Sequence, residues 1–472
     1  MRESKIQNLI GFRERLVGLE FENPVIDRNG EPPSFYFMQK VWTDFGKIGW
    51  KINKDDRLKI ISSVEKDFGG KLVNLSSDSS AGNFEMALPP MPGIKKAHNL
   101  LKLVHKDIFR ILKKRNLSMI GLGIHPGNLG DHKKLVVRSA LYDALCAAGA
   151  YNYFDNAIMM ANSAHQAGIS IKLNEAVKAT NELIKITGLV TALCANSPIQ
   201  NWKMLPVKEW RMLCWDFRLV SNYRGFEKLA GFSKKPFSSL SELFRYYLST
   251  PFMMLPPTRE TGWTIPDKKI NYLQYFKKKE VASHDLSGKK VLLKPESKDV
   301  NLAMIIFWPH AKIHLVADPQ KISVSDFMKN LDSGKLEEYL DGKLVNCYIE
   351  YRGAGASPVG EELALPALIL GLVNNIGELE KFTKCLSWKQ WEELVRPASI
   401  KGLNFNFEGH NIIRLCEKLV SIAEKGLGKR KSGEEKYLDI LKKRIKDKRV
   451  PADMAISKFK EGKKEFLKYV SY

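Results

Sequence analysis

Cysteine is scarce in this chain. Six cysteines (Cys146, Cys194, Cys214, Cys347, Cys385 and Cys416) are scattered through 472 residues, and none forms a Cys-x-x-Cys pair. The N-terminus lacks the apolar core of a secretory signal. We therefore expect reduced thiols in a cytoplasmic protein, with a regulatory disulfide as the alternative. No uncharged apolar run reaches the roughly 18 residues that a membrane-spanning helix needs. Neither a Walker nor a Rossmann fingerprint is present, since Gly121-x-Gly123 lacks the rest of such a pattern. Internal repeats and low-complexity tracts are also missing.

The chain is instead rich in positive charge. Lysine and arginine number 75 against 52 acidic residues, a formal charge of +23. A basic field draws in anionic substrates, binds nucleic acid, or is simply a solvated lysine surface. The lysines cluster around 268–298 and 425–464, in what read as loops and exposed helix faces, so the solvated surface is preferred. With 44% hydrophobic residues, the length suits one large domain or two coupled ones.

Three separate stretches place acidic residues on one face of a strand pattern. They are Gly18-Leu19-Glu20-Phe21-Glu22, Asn83-Phe84-Glu85-Met86-Ala87 and Tyr348-Ile349-Glu350-Tyr351-Arg352. Alternate side chains of a strand point to opposite faces, so Glu20 and Glu22 share a face opposed to Leu19 and Phe21. Apolar faces on a core and acidic faces in a cavity would make a carboxylate-lined bowl. Such a bowl suits magnesium and a nucleoside triphosphate, because hard cations take oxygen ligands. For any one such strand, a solvent-exposed face is the simpler explanation.

Elsewhere the periodicity predicts an amphipathic helix over 93–115 and a strand over 118–126 stopped by Pro126. It also predicts a short helix at 141–148, a strand over 155–171 and a helix over 174–195. Strands are expected at 291–293, 303–307 and 313–316, and helices over 363–377 and 378–425. The charged tail keeps apolar spacing at Tyr437, Leu438, Ile440, Leu441 and Ile445, which favours helix over disorder. We divide the chain into a catalytic domain, 1–425, and a basic helical segment, 426–472, packed on it or continuous with it.

Taken in order, Gly18-x-Glu20-x-Glu22, Phe84-Glu85, Ala195-Asn196-Ser197-Pro198, Arg211 with Trp215, and Tyr348-Ile349-Glu350-Tyr351-Arg352-Gly353-Ala354 form a set. This set resembles the glutamate–cysteine ligase family, in its plant and bacterial branch within the glutamine-synthetase-like superfamily. The family's words read G-T-E-H-E-K, Q-F-E-L and Y-L-E-M-R-G-A-D-G-G-P, and Ala-Asn-Ser-Pro is kept whole. The resemblance implies an α+β fold: a curved antiparallel sheet funnel with helices on its outer face, like the glutamine synthetase and guanido kinase catalytic fold. It implies ATP and Mg2+ as cofactors. Glu20, Glu22, Glu85 and Glu350 would hold metal. Arg352 and Arg211 would be catalytic, Arg352 meeting the phosphates or the transferring group and Arg211 stabilising the same charge or gripping the substrate carboxylate. Arg352, Gln166 and Asn196 would contact nucleotide; Asn196 would order the loop or contact substrate, with a packing or capping role as an equal alternative. Gln166 is preferred over His165, which a strand would turn to the other side.

The implied reaction joins glutamate to cysteine through a γ-glutamyl phosphate, the first step of glutathione biosynthesis. Two departures bear on the substrate: the family's Asp in R-G-A-D is Gly355 here, and its Ser-Met before the arginine is Glu209-Trp210. A sister ligase joining glutamate or a related acid to a different amine therefore stands as the alternative. A non-catalytic nucleic-acid-binding relative is the reading from another class. The expected partners are small-molecule substrates, with nucleic acid disfavoured, no membrane, and a homodimer allowed.

Overall fold

A computed structural model describes residues 15–55, 59–77, 80–127, 143–144, 147–148, 161–214, 231–250, 255–258, 262–302 and 309–472. Trp215, the strand expected at 303–307, half of the helix expected at 141–148 and the start of the strand expected over 155–171 lie outside these residues.

A nine-stranded antiparallel sheet organises the molecule. Its strands are β1 (Val17–Ile26), β2 (Lys51–Lys54), β3 (Ile61–Asp67), β4 (Leu72–Ser76), β5 (Asn83–Met91), β6 (Ser118–Met119), β7 (His165–Ser170), β8 (Ala311–Ala317) and β9 (Leu344–Tyr351). They lie in the order β8-β9-β7-β1-β5-β4-β3-β2, with β6 on the far end of β1. Period-two alternation fixes which face each strand buries. Val17, Leu19 and Phe21 of β1, Phe84, Met86 and Leu88 of β5, Ala167 and Ile169 of β7, and Ile349 and Tyr351 of β9 all enter the main core.

Helices cover this apolar face, as the resemblance implied. They include α1 (Phe35–Gly46), α2 (Ile94–Lys114) and α3 (Ala176–Lys185), and α4 (Thr187–Cys194) packs against α3. Helix α2 matches the expected span and buries Leu100, Leu101, Val104 and Ile108 at helical spacing. The single helix expected over 174–195 is broken at Ile186, whose backbone leaves the helical region between α3 and α4. The strand expected over 118–126 pairs regularly only at 118–119; beyond it the chain makes isolated bridges. A short helix, α5 (Trp210–Cys214), follows Ala-Asn-Ser-Pro.

Helix α6 (Ala364–Asn374) is buried at every position and lies against β7. Pro366 sits in its first turn, where no helical N–H is lost. It crosses α8 (Ile412–Gly428), while α7 (Trp388–Lys401) packs on α4. Helix α8 runs through residue 426, so the chain passes from 425 to 426 within one helix. The tail is helical and closes back on the sheet. Phe466 and Val470 pack with Ile26, Ile120 and Leu122, and the Tyr472 N–H donates to Met119 O at 3.0 Å.

The crossing of α6 and α8 depends on two glycines. A Cβ on Gly426 would overlap the Gly371 carbonyl, and one on Gly371 would overlap the Ala423 carbonyl. We expect Gly426→Ala to cost about 1–3 kcal/mol, the usual range for forcing extra volume into a packed core. An unchanged urea midpoint would show that the helices can separate freely.

Candidate functional site

The face of the sheet opposite the core carries a continuous polar row, set by register. Lys312 of β8 pairs with Glu350 of β9, Glu350 with Gly168 of β7, and Gly168 with Gly18 of β1. One step along, Glu20 pairs with Gln166 on one side and Ala87 on the other, and Glu22 pairs with Glu85. Gly168 and Gly18 thus form a shallow floor between two walls of long polar side chains, and Ala87 flanks Glu20 on its far side. The floor is tight at one point: a Cβ on Gly168 would lie 3.3 Å from the Tyr348 ring.

One wall is acidic. Carboxylate oxygens of Glu20, Glu22 and Glu85 come within 4.8 Å of one another. Gln166 is fully buried, and its Nε2 donates to Glu20 Oε1 at 2.7 Å and Glu22 Oε1 at 2.9 Å. Its own Oε1 is buried without a hydrogen-bond partner. Glu22 Oε2 accepts the Ala164 N–H at 2.8 Å. Three carboxylates are a donor set for a hard divalent cation. The residues present therefore fit magnesium.

The other wall is cationic. Glu350, the fourth expected carboxylate, lies two strands from β1, about 10 Å across the sheet at the usual strand spacing. Its Oε2 accepts from Arg352 at 3.0 Å and faces His314 Nε2 at 3.0 Å. Burial alone would raise the Glu350 carboxyl, but Arg352, His314 and Lys312 outweigh it and hold it well below the usual range. Burial opposes the charge on Arg352 too, and Glu350, Glu20 and Glu22 keep it protonated. Arg211 is buried and donates to the Arg352 carbonyl at 2.9 Å, so the two arginines are tied together.

Asn196 is buried behind this wall. Its amide donates to the Gly121 and Ala356 carbonyls at 2.9 and 2.8 Å, which is the loop-ordering arrangement. His165 faces the core, stacked on Phe21 at 4.3 Å between ring centroids, and burial pushes it down to about 3. Register therefore separates it from Gln166, its neighbour in sequence.

The sequence reading missed Lys312, His314 and Tyr348. Lys312 is buried beside Glu350, and desolvation lowers it to about 8 despite the opposing pull of Glu350 and Glu20. His314 stacks on Tyr348 with ring centroids 4.4 Å apart and planes within 3°. The signal was available: Lys312 and His314 alternate with Ala311, Ile313 and Leu315, the same pattern that singled out the glutamates.

Residues 16–218 match the Glutamate-cysteine ligase family 2 (GCS2) profile. This stretch carries the glutamate–cysteine ligase family pattern. It bears out the resemblance read from the sequence. The fold agrees with a crystal structure of glutamate–cysteine ligase from Francisella tularensis in complex with AMP. That match has a TM-score of 0.56 and 12% identity, and covers 97% of this chain and 87% of that one. A bifunctional glutathione synthetase from Pasteurella multocida aligns with a TM-score of 0.49 and 11% identity, over 99% of this chain and 52% of that one. The curated proteins include no match to this sequence. Among the described residues no helix is long and apolar enough to cross a membrane, and the five described cysteines are free.

The amide of Gln166 bridges two carboxylates, which makes its role measurable. Gln166→Leu removes both hydrogen bonds and leaves Glu20 and Glu22 facing an apolar group. We expect a stability loss of about 1–3 kcal/mol, from two hydrogen bonds lost to charged acceptors, by urea denaturation. No loss would mean the carboxylates are satisfied without it.

Proposed function

We propose that this chain is an ATP-dependent carboxylate–amine ligase joining glutamate to cysteine through a γ-glutamyl phosphate, the first step of glutathione biosynthesis in the cytoplasm. The observation that carries this reading is the pairing of a carboxylate trio, clamped by the Gln166 amide, against a bank of buried Arg211 and Lys312 with half-buried Arg352, across a floor of small residues. The family match and the name and AMP complex of the Francisella protein support it.

Glu20, Glu22 and Glu85, oriented by the Gln166 amide, would hold magnesium, and Glu350, two strands away, would serve a separate ion. When bound, magnesium would supply positive charge that offsets the charge of the ATP phosphates. Phosphoryl transfer asks the protein for positioning and fixed positive charge more than for covalent chemistry. Arg352, locked by Glu350, and Arg211, locked to the Arg352 carbonyl, supply that charge already oriented. The side-chain carboxylate oxygen of glutamate attacks the γ-phosphorus and ADP leaves. The amine nitrogen of the acceptor then attacks the acyl carbon, phosphate leaves, and the nitrogen gives up a proton.

A different acceptor amine is the second reading, because Gly355 and Glu209 alter the loops beside Arg211. Phosphate release with ATP, magnesium and glutamate, scanned over amines including cysteine, separates the two. Release specific to cysteine with a γ-glutamyl product by mass supports the first; release with another amine alone supports the second; none with any amine overturns both. Arg352→Lys should lower turnover by about a hundredfold, since one ammonium cannot reproduce a planar fork held by Glu350. Wild-type turnover in that variant would remove Arg352 from the chemistry. Magnesium at about a hundred times its dissociation constant should add about 2.7 kcal/mol to wild-type stability and much less to Glu22→Gln. Equal stabilisation of the two proteins would rule out the trio as the metal site.

A further inference from the structure

Two departures from the family's words, far apart in sequence, meet in space. Where the family writes aspartate this chain has Gly355, and where it writes serine this chain has Glu209. A Cβ built on Gly355 would lie 3.3 and 3.4 Å from the two carboxylate oxygens of Glu209, and 3.0 Å from the Gly123 Cα. The Glu209 carboxylate therefore fills the space toward which a side chain at 355 would point.

That carboxylate is buried and fully engaged. Oε2 accepts the Asn196 N–H at 2.8 Å, and Oε1 accepts from the Ser197 hydroxyl at 2.7 Å. The same hydroxyl oxygen accepts the Arg211 backbone N–H at 3.1 Å, and the Arg211 guanidinium reaches the Arg352 carbonyl at 2.9 Å. Burial pushes the Glu209 carboxyl up, and its hydrogen bonds and the charge of Arg211 oppose that. Glu209 also favours the charged form of Arg211. An ion of this kind is costly to bury, and packing alone would be served as well by a neutral side chain of the same size.

Building on the ligase reading, we propose that Glu209 is a positioning residue for Arg211. It delivers from the 195–211 segment the carboxylate that the family's word carries on the 350–358 segment, and the acidic charge has changed places with the small residue. The two positions then form one unit that tolerates a single carboxylate.

The test is the exchange. Glu209→Ser and Gly355→Asp are made singly and together, and each protein is assayed for phosphate release with ATP, glutamate and the acceptor amine. Gly355→Asp alone crowds two carboxylates into one space and should lower kcat by about a hundredfold, with Glu209→Ser alone lowering it about tenfold. The double variant should recover to within about tenfold of wild type. A double variant no better than Gly355→Asp alone overturns the proposal.

Glu209→Gln keeps the volume and removes the charge. It leaves one acceptor oxygen where two are used, so the urea midpoint should fall no further than in Glu209→Ser, while kcat falls about tenfold and the KM values for ATP and glutamate move less than about threefold. Unchanged kcat in this variant would reduce Glu209 to packing and also overturn the proposal. If wild type releases no phosphate with any amine, the ligase reading fails by itself. The exchange is then read from urea midpoints: a double variant more stable than Gly355→Asp supports the shared position, and one no more stable refutes it.

Discussion

Everything on the polar face depends on the pairing of β1 between β5 and β7. One register places Glu20 opposite Gln166 and Glu22 opposite Glu85. A slip of one residue would turn Leu19 and Phe21 outward and bury the glutamates in the core. Burial of Val17, Leu19, Phe21, Phe84 and Met86 against the helices prevents this, each side chain contributing about 1.5–3 kcal/mol. The same apolar contacts that stabilise the sheet therefore fix the geometry of the carboxylates. Three like charges within a few ångströms repel one another, and the core on the other face offsets that repulsion.

The two walls differ in how they are held. The acidic wall rests on neighbouring strands and one amide clamp. The cationic wall rests on a chain of bonds that leaves the sheet, from Glu350 to Arg352, to Arg211, and through Ser197 to Glu209. That chain joins β9 to the turn before α5, and Asn196 pins the turn to the Gly121 and Ala356 carbonyls. A fixed cationic wall is of use to phosphoryl transfer because charges already oriented need no reorganisation as the transition state forms. A surface for nucleic acid has no comparable use for a half-buried acidic trio beside it.

The period-two pattern made much of this legible in the sequence. Glu20, Glu22 and Glu85 share a face because Leu19, Phe21, Phe84 and Met86 alternate with them, and His165 and Gln166 part company for the same reason. Strand order was not legible. Nothing local in Glu350 says that two glycine-bearing strand positions, Gly168 and Gly18, separate it from Glu20. Lys312 and His314 had the right pattern, but their partner in space is Glu350, a neighbour only once β8 and β9 have paired. The break at Ile186 was also hidden, because apolar spacing runs through it and the turn between α3 and α4 is set by packing.

Substitutions at Gly355 and Glu209 look, in sequence, like two independent losses of family character near the substrate loops. In space they are one change, because a side chain at 355 and the carboxylate at 209 compete for the same volume. This follows from close packing, where an added methylene must displace something. Motif letters are read one position at a time, whereas a buried charge is constrained by the whole cluster that solvates it. For this chain the constraint acts on the Asn196-Ser197 turn, whose N–H and O–H groups need an acceptor between the two loops. Either loop can supply one carboxylate. A second would bury like charges together, and with none the turn that carries Arg211 would lose its anchor.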